Sequence, residues 1–283
     1  MVPALLVAAL LGLGTRPQPA ASASPFQTLF YSSEGLRLEA YLFKPDGAGP
    51  FPLVVYNHGS RNADARSERP VQYIARLLVP LGYAVLVPER RGYGKSEGPT
   101  LVEEVGADRA AKFVARIEAE TRDVLAAVNY VTRSPEHRVD AQRMAMIGYS
   151  FGGMVTTLAM ARDARFAAAI VQAPAAANWI DKPDVQTVLM RAAEQIRKPL
   201  HCTVAENDTQ TFSTRAICAG AQTNGAAADV KIYPPFILPA AAGDGAVPAP
   251  GVMGPGHAIF SAAGVSIWQD DVVAFLAKYL KRS

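Results

Sequence analysis

The feature that most restricts the fold is a short one. The apolar run Met144-Ala145-Met146-Ile147 leads into Gly148-Tyr149-Ser150-Phe151-Gly152-Gly153, and a helical segment from Met154 to Ala161 leads out. A chain that passes from strand to helix this abruptly needs unusual backbone angles at the turn. It also needs positions without side chains where neighbouring backbone comes close. Gly148 and Gly152 bracket Ser150 symmetrically and meet that need. Such a turn lifts the serine hydroxyl above the end of a sheet and sets it at a helix N-terminus, where developing negative charge is favoured.

The rest of the chain supplies the sheet. Phe26 to Phe43 alternates apolar and polar residues around a Ser-Ser-Glu-Gly turn, which predicts an antiparallel hairpin ended by Pro45-Asp46-Gly47. Short apolar runs then alternate with helical periods. Leu53–Tyr56, Ala84–Val87, Met144–Ile147, Ala167–Val171, Leu200–Val204 and Val230–Tyr233 read as buried strands. Val71–Leu81, residues 107–133, a helix starting near Thr211 and residues 266–281 read as helices. Strands spaced by helices predict a mostly parallel sheet, eight strands with the hairpin, covered by helices on both faces. Half of the 283 residues are apolar, so one large core is within reach without a metal or disulfide staple. Residues 24–283 are expected to form one domain. Pro234 to Pro255 breaks the pattern with a long stretch rich in Pro, Ala and Gly just before His257.

A serine hydroxyl needs a base to act as a nucleophile. Of the four histidines, His201 falls in a buried strand and His137 precedes the serine strand on the opposite end from the elbow. His58 ends the first parallel strand, in Asn57-His58-Gly59-Ser60, and His257 follows the last strand, in Gly254-Pro255-Gly256-His257. The chain order nucleophile, acid, histidine selects His257. The acid should follow Leu200–Val204. Glu206 and Asp208 are both candidates, and Asp208, deeper in the loop, is preferred. Two backbone donors for an oxyanion are expected from Phe151 and, after the first parallel strand, from Ser60. Glu89-Arg90-Arg91-Gly92-Tyr93-Gly94-Lys95-Ser96 matches neither a dinucleotide fingerprint nor a P-loop. It reads as a structural loop with Arg90 or Arg91 paired to Glu89.

Together these residues resemble the dienelactone hydrolase-related and prolyl-oligopeptidase-like branch of the α/β-hydrolases. The resemblance is carried by Pro50 to Gly59, Arg91 to Ser96, Gly148 to Gly153, the Asp208 loop and Gly256-His257, and spans about residues 28–282. It implies an α/β-hydrolase fold, a triad of Ser150, Asp208 and His257, and an oxyanion hole from Phe151 and Ser60. The chain departs from true dienelactone hydrolases, whose nucleophile is cysteine. No N-terminal propeller like that of the oligopeptidases is expected within residues 1–283, and the insert before His257 is a further departure. The implied activity is serine-dependent hydrolysis of a small-molecule carboxylic ester, without cofactor or metal. A peptidase or amidase on the same triad, and a non-catalytic binding module on the same scaffold, are the alternatives. No convincing acidic pair to hold a substrate amine appears in the short segment after Ala173.

Val2 to Gly14 is apolar but short for a membrane span, and Ala21-Ser22-Ala23 fits a small-x-small cleavage site. Residues 1–23 are therefore expected to be an export signal, leaving a periplasmic or secreted protein with no stable membrane span. No Lys or Arg precedes the apolar stretch, so an uncleaved anchor or a wrongly chosen start codon is the alternative. In an oxidising compartment Cys202 and Cys218 could form a disulfide, or remain two buried thiols. Net charge is +3 with no strongly basic run, which argues against nucleic-acid binding.

Overall fold

The computed structural model describes residues 26–61, 65–239 and 253–280. The expected export signal, residues 1–23, and most of the Pro/Ala/Gly insert lie outside them. The strands are β1 (Phe26–Ser33), β2 (Leu36–Phe43), β3 (Phe51–Asn57), β4 (Ala84–Glu89), β5 (Val139–Tyr149), β6 (Phe166–Gln172), β7 (Leu200–Ala205) and β8 (Ala228–Tyr233). The helices are α1 (Gln72–Leu78), α2 (Leu101–Val105), α3 (Arg109–Arg133), α4 (Phe151–Arg162), α5 (Pro183–Ala193), α6 (Phe212–Thr223) and α7 (Val265–Leu280).

All eight strands form one sheet in the order β1-β2-β4-β3-β5-β6-β7-β8. β1 pairs antiparallel with β2, and β2 antiparallel with β4, while β3 to β8 run parallel. Glu34 and Gly35, both at positive φ, close the first hairpin, a backbone combination that suits the twist of the flanking strands. This is the mostly parallel α/β sheet with an N-terminal hairpin that the sequence predicts.

Each central strand is buried on both faces. Met144 and Met146 of β5 face a core shared with α3, α4, α5 and α6, and Ala145, Ile147 and Tyr149 face a second core shared with α1 and α7. That two-sided burial explains why these strands read as unbroken apolar runs. β5 sits near the middle of the sheet, so its C-terminal end delivers the strand-to-helix turn to a fully supported position.

The possible Cys202–Cys218 disulfide is not present. Both residues are buried free thiols, Cys202 on β7 and Cys218 on α6. The Cys218 thiol donates to the Asp229 carbonyl at 3.1 Å. Burial, reinforced by the neighbouring Cys218, pushes the Cys202 thiol well above its ordinary range. The thiolate that disulfide formation requires is thereby suppressed.

Candidate active site

Ser150 joins β5 to α4 with φ 57° and ψ −117°, a conformation rarely adopted by a residue with a side chain. The neighbouring glycines make it possible. A Cβ on Gly148 would lie 2.1 Å from Thr156 Oγ1, and one on Gly152 only 1.9 Å from the Asn57 carbonyl oxygen. The Ser150 N–H donates to the Gln172 carbonyl of β6 at 2.8 Å, tying the turn to the next strand.

Two loops from the same edge of the sheet meet this serine. His257 rides on a 3-10 segment, Pro255–Phe260, and Asp208 lies just beyond β7. His257 Nε2 is 2.9 Å from Ser150 Oγ, and its Nδ1 is 2.8 Å from Asp208 Oδ2. All three side chains are buried. The loops interlock closely: a Cβ on Gly254 or Gly256 would strike the backbone of Asn207 and Asp208 at 2.5–2.8 Å. That contact accounts for the Gly-Pro-Gly-His sequence. Asp208 Oδ1 accepts the Thr209 N–H at 2.6 Å, which fixes the carboxylate. Glu206, the other candidate acid, is exposed and makes no contact with His257 among the described residues. His201 instead bonds Asp229, and His137 lies in the 3-10 turn before β5.

The loop after β3 closes the opposite side. A Cβ on Gly59 would sit 3.2 Å from the Ser150 Cβ, so the Gly59-Ser60 backbone passes directly over the nucleophilic turn. The hydrogen bonds among described residues use neither the Phe151 nor the Ser60 N–H. Beneath this loop is a buried charge network. Arg90 donates to the His58 carbonyl at 2.9 Å and is paired with Glu120. Arg61, on the loop itself, is paired with Glu89. The expected pairing of Glu89 with Arg90 or Arg91 is therefore corrected. Arg90 reaches Glu120 on α3 and Arg91 reaches Asp123 and Glu34. α3 crosses below the loop, so its acids are nearer to these guanidinium groups than Glu89 is. Burial raises Glu89 to about 7 against the opposing pull of Arg61. Burial, together with Arg90 and Arg61, holds His58 well below its ordinary range and hence neutral.

Sequence reasoning missed Tyr149. Its hydroxyl donates to the His257 carbonyl at 2.9 Å and its ring packs on the imidazole, with centroids 5.0 Å apart. It lies within the Gly-x-Ser-x-Gly stretch, but nothing in a sequence says which face of β5 the His257 loop will cover. Arg61 was missed for the same kind of reason: its partner Glu89 is 28 residues away.

A serine at the end of a central parallel strand, within hydrogen-bond reach of a histidine that contacts an aspartate, can give its hydroxyl proton to that histidine as its oxygen attacks an acyl carbon. With this sheet order, the arrangement defines a serine hydrolase of the α/β-hydrolase type, akin to peptidases and esterases. More narrowly, residues 34–220 match the model of the X-Pro dipeptidyl-peptidase (S15) family, and the chain belongs to that family. It is 31% identical over 144 residues to the quorum-quenching protein AidA of Acinetobacter baumannii, covering 51% of this chain and 42% of that one. The chain thus spans less than half the length of that curated relative. Among solved structures it is similar to the acylaminoacyl peptidase of Pyrococcus horikoshii, with TM-score 0.66 and 16% identity, over 92% of this chain and 42% of that one. It is also similar to an esterase of Pyrococcus furiosus, with TM-score 0.62 and 15% identity, over 91% of this chain and 92% of that one. These two likenesses show the shared fold.

Proposed function

We propose that this chain is an exported carboxylic-ester hydrolase that works through an acyl-enzyme on Ser150. His257 Nε2 takes the Ser150 proton as the oxygen attacks the ester carbonyl. Asp208 holds the imidazole in the required tautomer and stabilises the imidazolium. The Phe151 and Ser60 N–H groups receive the oxyanion, each worth about 10²–10³ in rate. His257 then returns the proton to the departing alcohol, and water repeats the sequence to release the acid. The observation that carries this reading is the unbroken chain from Ser150 Oγ to His257 to Asp208, at 2.9 and 2.8 Å.

Membership of a peptidase family favours a second reading, cleavage of amide bonds by the same groups. The segment after Ala173 shows no evident acidic pair for a substrate amine, which favours esters over peptides. The test compares 4-nitrophenyl esters with X-Pro 4-nitroanilides on the wild type and on Ser150→Ala. Ester turnover that vanishes in the variant, with little amide turnover, is the expected result. Undiminished ester turnover in Ser150→Ala refutes the nucleophile, and faster amide cleavage favours the peptidase. A fluorophosphonate probe that leaves folded wild type unlabelled points to a binding module instead. Export through residues 1–23 is part of the proposal, and N-terminal sequencing of the mature protein, expected to begin at Ser24, tests it.

A further inference from the structure

Arg109 is the first residue of α3. The C-terminus of α3 leads through Pro135–His137 into the start of β5, so its N-terminus stands at the opposite edge of the sheet, the edge that carries Ser150. The Arg109 guanidinium carbon lies 4.0 Å over the centre of the Phe113 ring. Phe113 in turn stands edge-on to Phe151, with centroids 5.7 Å apart. A second anchor comes from the loop after β6, where Asn178 Oδ1 accepts a hydrogen bond from Arg109.

No ion pair among the described residues gives Arg109 a carboxylate. Among the described residues, the acids near it in sequence are engaged elsewhere: Asp108 with Lys112, Glu104 with Arg116, and Glu118 with Arg162. Arg90, Arg91 and Arg116, by contrast, are each paired with an acid. A cation in the first turn of a helix is also unfavourable. The guanidinium is exposed at its edge, and desolvation where it packs on the protein pulls it below its ordinary range. An aromatic ring and an amide thus anchor this exposed guanidinium, two rings away from the residue that follows the nucleophile, and no counter-ion is among the described residues.

We propose that Arg109 binds a carboxylate on the acyl part of the substrate, so that the favoured esters are monoesters of dicarboxylic acids. This rests on hydrolysis at Ser150. The side of the substrate follows from the chemistry. The leaving alcohol must lie against His257, which returns its proton. His257 belongs to a segment packed on β7 and α7, whereas α3 packs on α4 and α5. The acyl chain therefore extends past Phe151 and Phe113 toward Arg109. Asn178 orients the planar guanidinium, and its other N–H groups, which bond none of the described residues, can grip both oxygens of a carboxylate. In the reaction the Ser150 oxygen bonds the acyl carbon, the carbon–oxygen bond to the alcohol breaks with its proton supplied by His257, and the distal carboxylate is unchanged.

The experiment measures kcat/KM for 4-nitrophenyl monoesters of succinate, glutarate and adipate against butyrate, valerate and hexanoate esters of matching length. The ratio of acid-tipped to neutral turnover should fall about tenfold in Arg109→Gln, mostly through KM, in line with loss of a charge-assisted hydrogen bond. Arg109→Lys should retain part of the ratio, and Arg109→Glu should lower it further. In the wild type the ratio should shrink as salt rises. A ratio equal to wild type in Arg109→Gln overturns the proposal. A wild type inert toward both series refutes hydrolysis at Ser150 separately. Calorimetric binding of glutarate monomethyl ester to Ser150→Ala, with and without Arg109→Gln, then reads Arg109 alone: tenfold weaker binding supports it, and equal binding overturns it.

Discussion

Gly152→Ala places one methyl group where the serine turn and the loop after β3 meet. That Cβ would lie 1.9 Å from the Asn57 carbonyl oxygen and 2.6 Å from that of His58. Real Cβ contacts essentially stop at 3.0 Å, so backbone on one side must retreat by about 1 Å. The retreat separates Phe151 from Ser60, the two proposed oxyanion donors. A misplacement of about 1 Å costs roughly 10²-fold in rate, and complete loss of one donor about 10²–10³. Overpacking itself costs about 1–3 kcal/mol, or roughly 2–4 °C in Tm for each kcal/mol in a chain of this size. Gly225→Ala is the control for backbone strain alone: unlike Gly152 it lies at positive φ, +80°, and it has open space around it. It should lose about 1 kcal/mol or somewhat more of stability and no turnover. The assay is kcat on a 4-nitrophenyl ester at a temperature where circular dichroism shows both variants folded. A hundredfold loss in Gly152→Ala alone is expected. Wild-type kcat in folded Gly152→Ala would refute the claim that this contact sets the geometry of the oxyanion site.

Three further outcomes follow from the same geometry. Tyr149→Phe removes the hydrogen bond to the His257 carbonyl, so urea unfolding should show a loss of about 1–3 kcal/mol, with kcat lowered as the imidazole loosens. Glu89, raised to about 7, keeps a proton in the native state that the unfolded chain has lost above about 4.5. Its contribution to stability is therefore fully present below pH 4.5 and lost as pH rises through 7, by at most about 3 kcal/mol. Neutral buried His58 acts in the opposite sense near pH 6, so the difference between wild type and Glu89→Gln across pH 5 to 8 isolates Glu89. Finally, thiol titration without reductant should find no reactive thiol in the folded protein and two after denaturation, from Cys202 and Cys218. A denatured chain with none would mean a disulfide had formed.

The parts of the fold legible in the sequence are those where burial is periodic. β5, β6 and β7 show as apolar runs because both faces are covered, and α7 shows as a stripe because one face is. Ser150, His257 and Asp208 were legible because strand ends fix where such residues must fall in chain order. The short helix α2 carries a readable signal, because Thr100 and Glu103 form a reciprocal cap. α5 lies in a segment that the sequence left unassigned, its start marked by little beyond Pro183. The charge network under the Gly59-Ser60 loop was illegible for a different reason. Its partners, Arg61 with Glu89 and Arg90 with Glu120, are about 30 residues apart, and the folded crossing of α3 decides which acid is nearest. The cysteine pair shows the same limit: proximity was inferable, bonding was not.

The central claim is that Ser150 forms a covalent acyl intermediate. Acid-quenching the enzyme within milliseconds of mixing with a 4-nitrophenyl ester, then mapping the mass shift by peptide sequencing, tests it most directly. The account predicts one acyl group on Ser150 in the wild type and none in Ser150→Ala, whose turnover should fall by roughly 10⁴-fold or more. An acyl group on another residue, or full turnover in Ser150→Ala, would contradict it.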